Sequence, residues 1–378
     1  MIFMKRKISR LLIQLFIITG TTSTAAQTGN SLEVKLGGAF RFNWLYTDWN
    51  QANKDQRSAI VYDMARLNMR ASYGKIEAAA EYRMYAESAG GGILKYGWIG
   101  YNPDHRNQFR FGMTTVPFGI LPYQSNNFFC NINYYIGLED DDDYGITYRY
   151  TGEKILFNAA FFKNSDLLDG EGLPTNLRRF SYDITGHTKE TNTAALRFVY
   201  KGGNKCKYEI GASGLIGQAY NIDSHNTDIR YAYAGHVVLD WDKFNFKGQY
   251  TAYDYTNEES KVTGYMTMGA FSAPYYVCDK GRTYSACLAY IVPLKNDIVD
   301  RITLFNDYSY LEKLHNGFND SQQNVLGCTL SAGPVLVYLE WVYAKNQAWI
   351  GPAFDNSFAD GPDNKWHSRL NVNIGFYF

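Results

Sequence analysis

The 378-residue chain carries 37 basic and 37 acidic residues, is 46% hydrophobic and 20% charged, and contains 32 tyrosines. This even balance excludes the broad positive field of a nucleic-acid binder. The length admits two soluble domains or one large barrel, and the tyrosine density favours strands over long helices.

In chain order, the first element is the segment MIFMKRKISRLLIQLFIITGTTSTAAQTGN. The bases Lys5, Arg6, Lys7 and Arg10 precede an apolar run from Leu11 to Ile18, then the small residues Thr24, Ala25 and Ala26. This pattern predicts a signal peptide over residues 1–26, cleaved after Ala26. The apolar run is about half of the roughly 20 residues that a spanning helix needs. Cleavage takes away four bases and no acids, leaving 33 basic against 37 acidic residues, and no cysteine sits beside the cleavage point to take a lipid.

Residues 27–378 then show short stretches that alternate apolar with polar. In LEVKLGGAFRFNWLY, Val34, Leu36, Phe40, Phe42 and Trp44 oppose Lys35, Arg41 and Asn43. In VYDMARLNMRASYG, Ala65, Leu67, Met69, Ala71 and Tyr73 oppose Arg66, Asn68, Arg70 and Ser72. The last strand sets Leu370, Val372, Ile374, Phe376 and Phe378 against Arg369, Asn371, Asn373, Gly375 and Tyr377. Strand starts fall near residues 33, 59, 76, 92, 107, 144, 155, 191, 205, 228, 243, 284, 298, 322, 335 and 366.

Tight breaks at Gly74 and Lys75, and in TGEK, GGNK, DWDK and SAGP, alternate with long polar segments. A meander with that rhythm places its short turns at one end and its long loops at the other. The expected fold is therefore all-β: a transmembrane antiparallel β-barrel of 16 strands, whose closure satisfies every backbone amide in hydrocarbon. KVTGYMTMGAFSAP has strand-like content, but a seventeenth crossing would send the two chain ends to opposite sides. Asn257 to Arg282 is accordingly read as one long outside loop, folded as a hairpin above the barrel. A soluble sandwich is the competing reading of one-faced strands. Asp63 and Asn306 fall on the lipid-facing register and break the alternation, with Asp63 expected at the rim.

At FRFGMTTVPFG, where Arg110 and Gly112 precede Pro117, Phe118 and Gly119, and at ARLNMRASYG, with Arg66, Leu67 and Gly74, the chain resembles outer-membrane porins of the phosphate-selective porin O and P family. The leader and the terminal Phe378 fit that class. The resemblance implies a barrel in the outer membrane of a Gram-negative cell, usually trimeric, with a loop near residues 117–143 folded into the pore and no cofactor. It also implies ion transport: passive diffusion of small hydrophilic solutes, anions among them, through a barrel surrounded by outer-membrane lipid. The acidic run Glu139, Asp140, Asp141, Asp142, Asp143 departs from the basic constriction of phosphate-specific members, so phosphate selectivity does not carry over directly. A barrel with a plugged lumen that serves surface binding or adhesion is the alternative function.

On the same register Arg41, Arg66, Arg70, Arg110, Arg149 and Arg197 face inward. Such a set can guide anions, or it can neutralise Glu77, Glu81 and loop carboxylates and hold the folded loop. The acidic run can bind a hard divalent cation, but it lacks EF-hand spacing, and a solvated loop is the expectation. Phe128 and Phe129, with Tyr134 and Tyr135, belong to the constriction loop, where they narrow the channel, stack on sugar rings or anchor the loop. Trp44, Tyr73, Phe111, Tyr250 and Trp341 are read as lipid-facing or belt residues. Six scattered histidines and five widely spaced cysteines give no metal motif, and Cys278 with Cys287 is either one disulfide or two free thiols. No nucleophile elbow, phosphate-cradling loop or zinc motif is present, so an enzyme is not expected.

Overall fold

The computed structural model describes residues 31–166, 182–294 and 298–378, so the signal peptide expected over 1–26 lies outside the described residues. In chain order the strands are β1 (Leu32–Thr47), β2 (Ala59–Tyr73), β3 (Ile76–Met84), β4 (Gly92–Tyr101), β5 (Asn107–Thr115), β6 (Asp142–Thr151) and β7 (Ile155–Asn164). There follow β8 (Asp183–Ile184), β9 (Thr188–Gly202), β10 (Cys206–Asn221), β11 (Thr227–Trp241), β12 (Phe244–Asp254), β13 (Tyr265–Ala270) and β14 (Ala273–Cys278). The last five are β15 (Lys280–Pro293), β16 (Arg301–Lys313), β17 (Ser321–Ala332), β18 (Val335–Lys345) and β19 (Trp366–Tyr377).

Among the described residues, all but β8, β13 and β14 join one closed barrel, and those three form a separate small sheet. Closure is made by β1 and β19, antiparallel from Ala39 opposite Tyr377 to Thr47 opposite Arg369. The expected antiparallel 16-strand barrel is therefore the observed one. The parity argument also holds, because the extra strand-like segment is a hairpin outside the barrel, with Tyr265 opposite Cys278. That hairpin ends earlier than expected, since the following barrel strand already begins at Lys280.

The burial pattern inverts that of a soluble sandwich. On β19 Leu370, Ile374 and Phe376 are 43%, 49% and 38% exposed, while Asn371 and Asn373 are at 1% and 0%. Leu36, Leu67, Phe111, Ile146, Leu196, Ile216, Leu304 and Trp341 extend the exposed apolar face around the outside. Apolar area turned outward gains nothing in water, whereas hydrocarbon accepts it without cost. The polar set turns inward, where Asn373 donates to Asn43 at 2.8 Å.

Two departures from alternation resolve differently. The β1/β2 register shifts between Arg41 and Phe42, which pair with Met64 and Tyr62 and skip Asp63. This bulge corrects the lipid-facing assignment of Asp63: its carboxylate forms an ion pair with Arg41, 2.6 Å from Nε. Asn306 does stay on the outer face, half satisfied by Asn324 through amide bonds of 3.0 and 3.2 Å.

The tight connections at 74–75, 152–154, 203–205, 242–243 and 333–334 share the end that holds Phe378, whose N–H bonds the Gly38 carbonyl at 3.0 Å. The long connections lie at the other end. There a buried apolar cluster joins Phe118, Ile132, Ile136, Tyr182, Met268, Tyr275 and Phe358 to the inner-wall residues Ala195, Leu215 and Ala232. Fully burying one such large side chain is worth about 1.5–3 kcal/mol, enough for several to hold loops against the wall.

Candidate functional site in the barrel lumen

The loop between Thr115 and Asp142 enters the lumen, and its geometry begins in β5. Gly112 has φ 129°, and a Cβ there would lie 2.4 Å from the Gly97 carbonyl oxygen, so only glycine admits this approach of β5 to β4. Pro117-Phe118-Gly119 then reaches the far wall. Gly119 has φ 59°, its N–H donates to Ser213 Oγ at 2.9 Å, its carbonyl accepts from Arg197 Nε at 2.6 Å, and the next N–H, of Ile120, donates to Gln249 at 2.9 Å.

From there the loop follows the wall. Lys247 reaches the Tyr123 and Ser125 carbonyls at 3.3 Å each. Asp307 accepts the Asn126 N–H at 2.6 Å and the amides of Asn126 and Asn127 at 2.9 and 2.8 Å. Glu340 takes the Phe128 N–H at 2.7 Å, Gln323 donates to the Cys130 carbonyl at 2.8 Å, and Thr283 donates to Asn133 at 2.6 Å. The anchors come from seven strands between β9 and β18, with Lys247 and Gln249 both on β12, and each is a lumen-facing side chain made available by alternation.

The loop borders two lumen cavities. One, of about 290 Å³, is lined by Arg110, Arg149, Arg197, Lys201 and Glu209 with the loop residues Pro117, Leu121 and Pro122. The other, of about 560 Å³, is lined by Arg41, Arg66, Arg83 and Arg369, by Asp63 and Asp140, and by loop rings including Phe128, Phe129 and Tyr134.

The six expected arginines all sit in the wall but separate into two kinds. Arg41 pairs with Asp63, Arg66 with Glu81 at 3.2 Å, and Arg197 with Glu209 at 3.1 Å besides holding Gly119. Among the described residues, Arg70, Arg110 and Arg149 have no carboxylate within 4.0 Å. Arg110 lies over the Trp98 ring at 4.0 Å, and its buried Nε has no hydrogen-bond acceptor.

The loop aromatics are mostly held. Phe128 packs on Tyr338 and carries Arg41 at 5.2 Å from its ring centre, while Phe129 carries Arg369 at 4.9 Å. Tyr135 sits against Trp349 and Phe358 at 5.1 and 5.9 Å, and its hydroxyl donates to the Phe129 carbonyl.

The acidic run is not the solvated loop expected. Glu139, Asp142 and Asp143 are buried, and Asp142 and Asp143 belong to β6 rather than to the loop. Lys95, itself buried, donates to the Asp140 carbonyl at 2.7 Å and to the Asp142 carboxylate, whose other oxygen takes Thr115 Oγ1 at 2.7 Å. Lys95 and Arg83 were not expected here, and Arg369, read on the polar face of the last strand, was not among the six expected arginines. Arg83 shares the alternating face of Glu77 and Glu81 and was available from it. Lys95 was not, because the β3/β4 register shifts there and skips it. All five cysteines are free, with Cys278 and Cys287 both buried, which settles that alternative against a disulfide.

Burial pushes the Glu139 carboxyl up to about 8, against the Gln124 N–H at 3.0 Å and the Asn131 amide at 2.5 Å that favour its anion. The folded loop therefore holds the neutral form. Its contribution to stability is fully present below the ordinary glutamate value and is lost as pH rises towards 8. The thermal midpoint of the native protein is expected to fall between pH 5 and 9, and Glu139→Gln is expected to flatten that slope. Equal slopes in the two proteins would contradict this.

A closed antiparallel barrel with an apolar exterior, a charged lumen and an inward-folded third long-end loop is the architecture of an outer-membrane β-barrel. Comparison with solved structures finds the same fold. The channel DcaP of Acinetobacter baumannii is 14% identical, with 95% of this chain and 99% of that chain covered and a TM-score of 0.59. An anion-selective porin from Comamonas acidovorans is 11% identical, with 92% and 100% covered and a TM-score of 0.57. The trimer form of OmpT from Vibrio cholerae is 10% identical, with 92% and 100% covered and a TM-score of 0.54. No protein-family model matches the sequence. No curated protein matches it either.

Proposed function

We propose that this chain is an outer-membrane porin that passes small hydrophilic solutes by passive diffusion, with a preference for anions, and that it performs no chemistry. The observation that carries this reading is the pair Arg110 and Arg149, which line the same lumen cavity with no carboxylate within 4.0 Å among the described residues. Uncompensated guanidinium groups in a narrow, low-dielectric passage attract anions and stay charged at every relevant pH. Arg70, on the inward face of β2, likewise has no carboxylate within 4.0 Å among the described residues. By the same logic Arg41, Arg66 and Arg197 serve the loop and the wall rather than the passing ion.

Neighbours of the same fold include one described as anion-selective and one solved as a trimer, which supports the transport reading and a homotrimeric assembly in outer-membrane lipid. Export after cleavage at Ala26 belongs to the same proposal. Membership of the phosphate-selective porin O and P family rests on the Arg110, Gly112 and Pro117-Phe118-Gly119 motif. Phosphate as the solute is the narrower version of the function.

Reversal potentials across planar bilayers in a salt gradient test the preference. The native protein is expected to pass anions over cations, and Arg70→Gln, Arg110→Gln and Arg149→Gln together are expected to bring the permeability ratio towards one. The difference should shrink in high salt, where the Debye length falls to about 3 Å at 1 M. An unchanged ratio with conductance retained would sink the arginine assignment.

The apolar cluster at the long-loop end favours a second reading, a plugged barrel that presents its outer loops for surface binding. Folded barrels that stay sealed across preparations would decide for it.

A further inference from the structure

Three carboxylates converge at the root of the constriction loop. Asp141 is the last loop residue, Asp143 the second residue of β6, and Asp183 begins β8. One oxygen from each lies within 4.8 Å of the other two. Asp143 and Asp183 are each only 1% exposed, and among the described residues Asp143 Oδ1 and Asp183 Oδ2 accept no hydrogen bond.

Three other buried acids have partners. Asp142 has Lys95, Glu190 has Arg230, and Asp307 has three N–H donors. A carboxylate oxygen buried without a donor is costly, and an ion is one of the few things that explains it.

We propose that Asp141, Asp143 and Asp183 form a calcium site that ties the base of the constriction loop to the small sheet β8/β13/β14. Oxygens that lie within 4.8 Å of one another can share a calcium ion, which takes oxygen at about 2.3–2.6 Å and tolerates irregular geometry, whereas magnesium at about 2.0–2.1 Å demands a near-octahedral set. The donor set is all oxygen, as a hard cation requires. The site escaped motif reading because its ligands come from two segments separated by a long stretch of chain. Three carboxylates gathered this closely repel one another, and a divalent charge removes that repulsion. Asp183 is held in place by its backbone position opposite Gly269 of β13, so the ion would add a polar tie to the apolar packing that already joins the loop to this sheet.

This inference goes beyond the pore reading and stands whether or not the barrel conducts. The test uses the full mature chain, folded in detergent without lipopolysaccharide and stripped with EGTA. Calcium titrated by calorimetry is expected to fill one saturable site per chain, at least about tenfold more tightly than magnesium. It is also expected to displace terbium whose emission is sensitised by nearby tyrosine.

Asp183→Asn and Asp141→Asn should each weaken calcium at least about tenfold, since each removes one charged ligand. Calcium should raise the thermal midpoint of the native chain but not of Asp183→Asn. Without calcium, Asp183→Asn should melt higher than the native chain, because a repelling charge is gone. Absence of a saturable site, or calcium affinity unchanged in the variants, overturns the proposal. If Asp183→Asn does not fold, Asp141→Asn decides alone by the same criterion.

Discussion

Replacing residues 116–141 with a two-residue Asn-Gly turn is expected to raise the single-channel conductance several-fold and to weaken ion selectivity. The excision is geometrically simple because Thr115 and Asp142 are direct register partners in β5 and β6, so a hairpin turn can join them. A barrel of this strand number encloses an aqueous channel when nothing folds into it. Here the loop occupies that space, spanning from Gly119 at Ser213 and Gln249 to Phe128 at Glu340. The anchors left behind, Asp307, Glu340, Gln249 and Thr283, become water-exposed and need no new partner. The wall itself keeps all its ladders. Conductance equal to that of the native barrel, in a variant shown to be folded by its strand signal and heat-modifiable migration, would place the narrow point outside this loop. Conductance appearing only after excision would instead identify the loop as a plug.

The barrel was legible because a membrane wall obeys a strict period of two, so Leu370, Ile374 and Phe376 declare their side without any knowledge of the fold. The hairpin at Tyr265–Cys278 was legible through parity, a global constraint, although its local pattern resembles a wall strand. Failures concentrate where a bulge interrupts the period. Asp63 reads as lipid-facing until one skipped residue turns it towards Arg41, and Lys95 disappears into the equivalent irregularity of β4. The acidic run was misjudged for a different reason. Composition says nothing about burial, and the partners that bury it, Lys95, Thr115 and Asp183, are remote in sequence. Inward direction alone likewise did not separate Arg41, Arg66 and Arg197, which are paired, from Arg70, Arg110 and Arg149, which have no carboxylate within 4.0 Å among the described residues, since pairing depends on which carboxylates the register sets opposite.

Lys95→Met is expected to destabilise the folded barrel by about 3–5 kcal/mol, the usual cost of leaving a buried charge without its partner. Lys95 is 2% exposed and meets the Asp142 carboxylate directly, the Asp140 carboxylate at 3.5 Å and the Asp140 carbonyl at 2.7 Å. One ammonium group thus compensates both acids where the constriction loop returns to β6. Methionine keeps most of the volume, so the loss is electrostatic rather than a cavity. Thr115 still donates to Asp142, but a neutral hydroxyl does not offset the charge. Adding Asp142→Asn to Lys95→Met should recover part of the loss, because an uncharged amide has no buried charge to compensate. The non-additivity in a double-mutant cycle, read from urea unfolding of the protein in lipid vesicles, measures that coupling. It should change little between low and high salt, since a pair this buried is poorly screened. A single variant within about 0.5 kcal/mol of the native protein, the range of an ordinary surface substitution, would show that water or mobile ions replace the ammonium group and that the loop root does not depend on it.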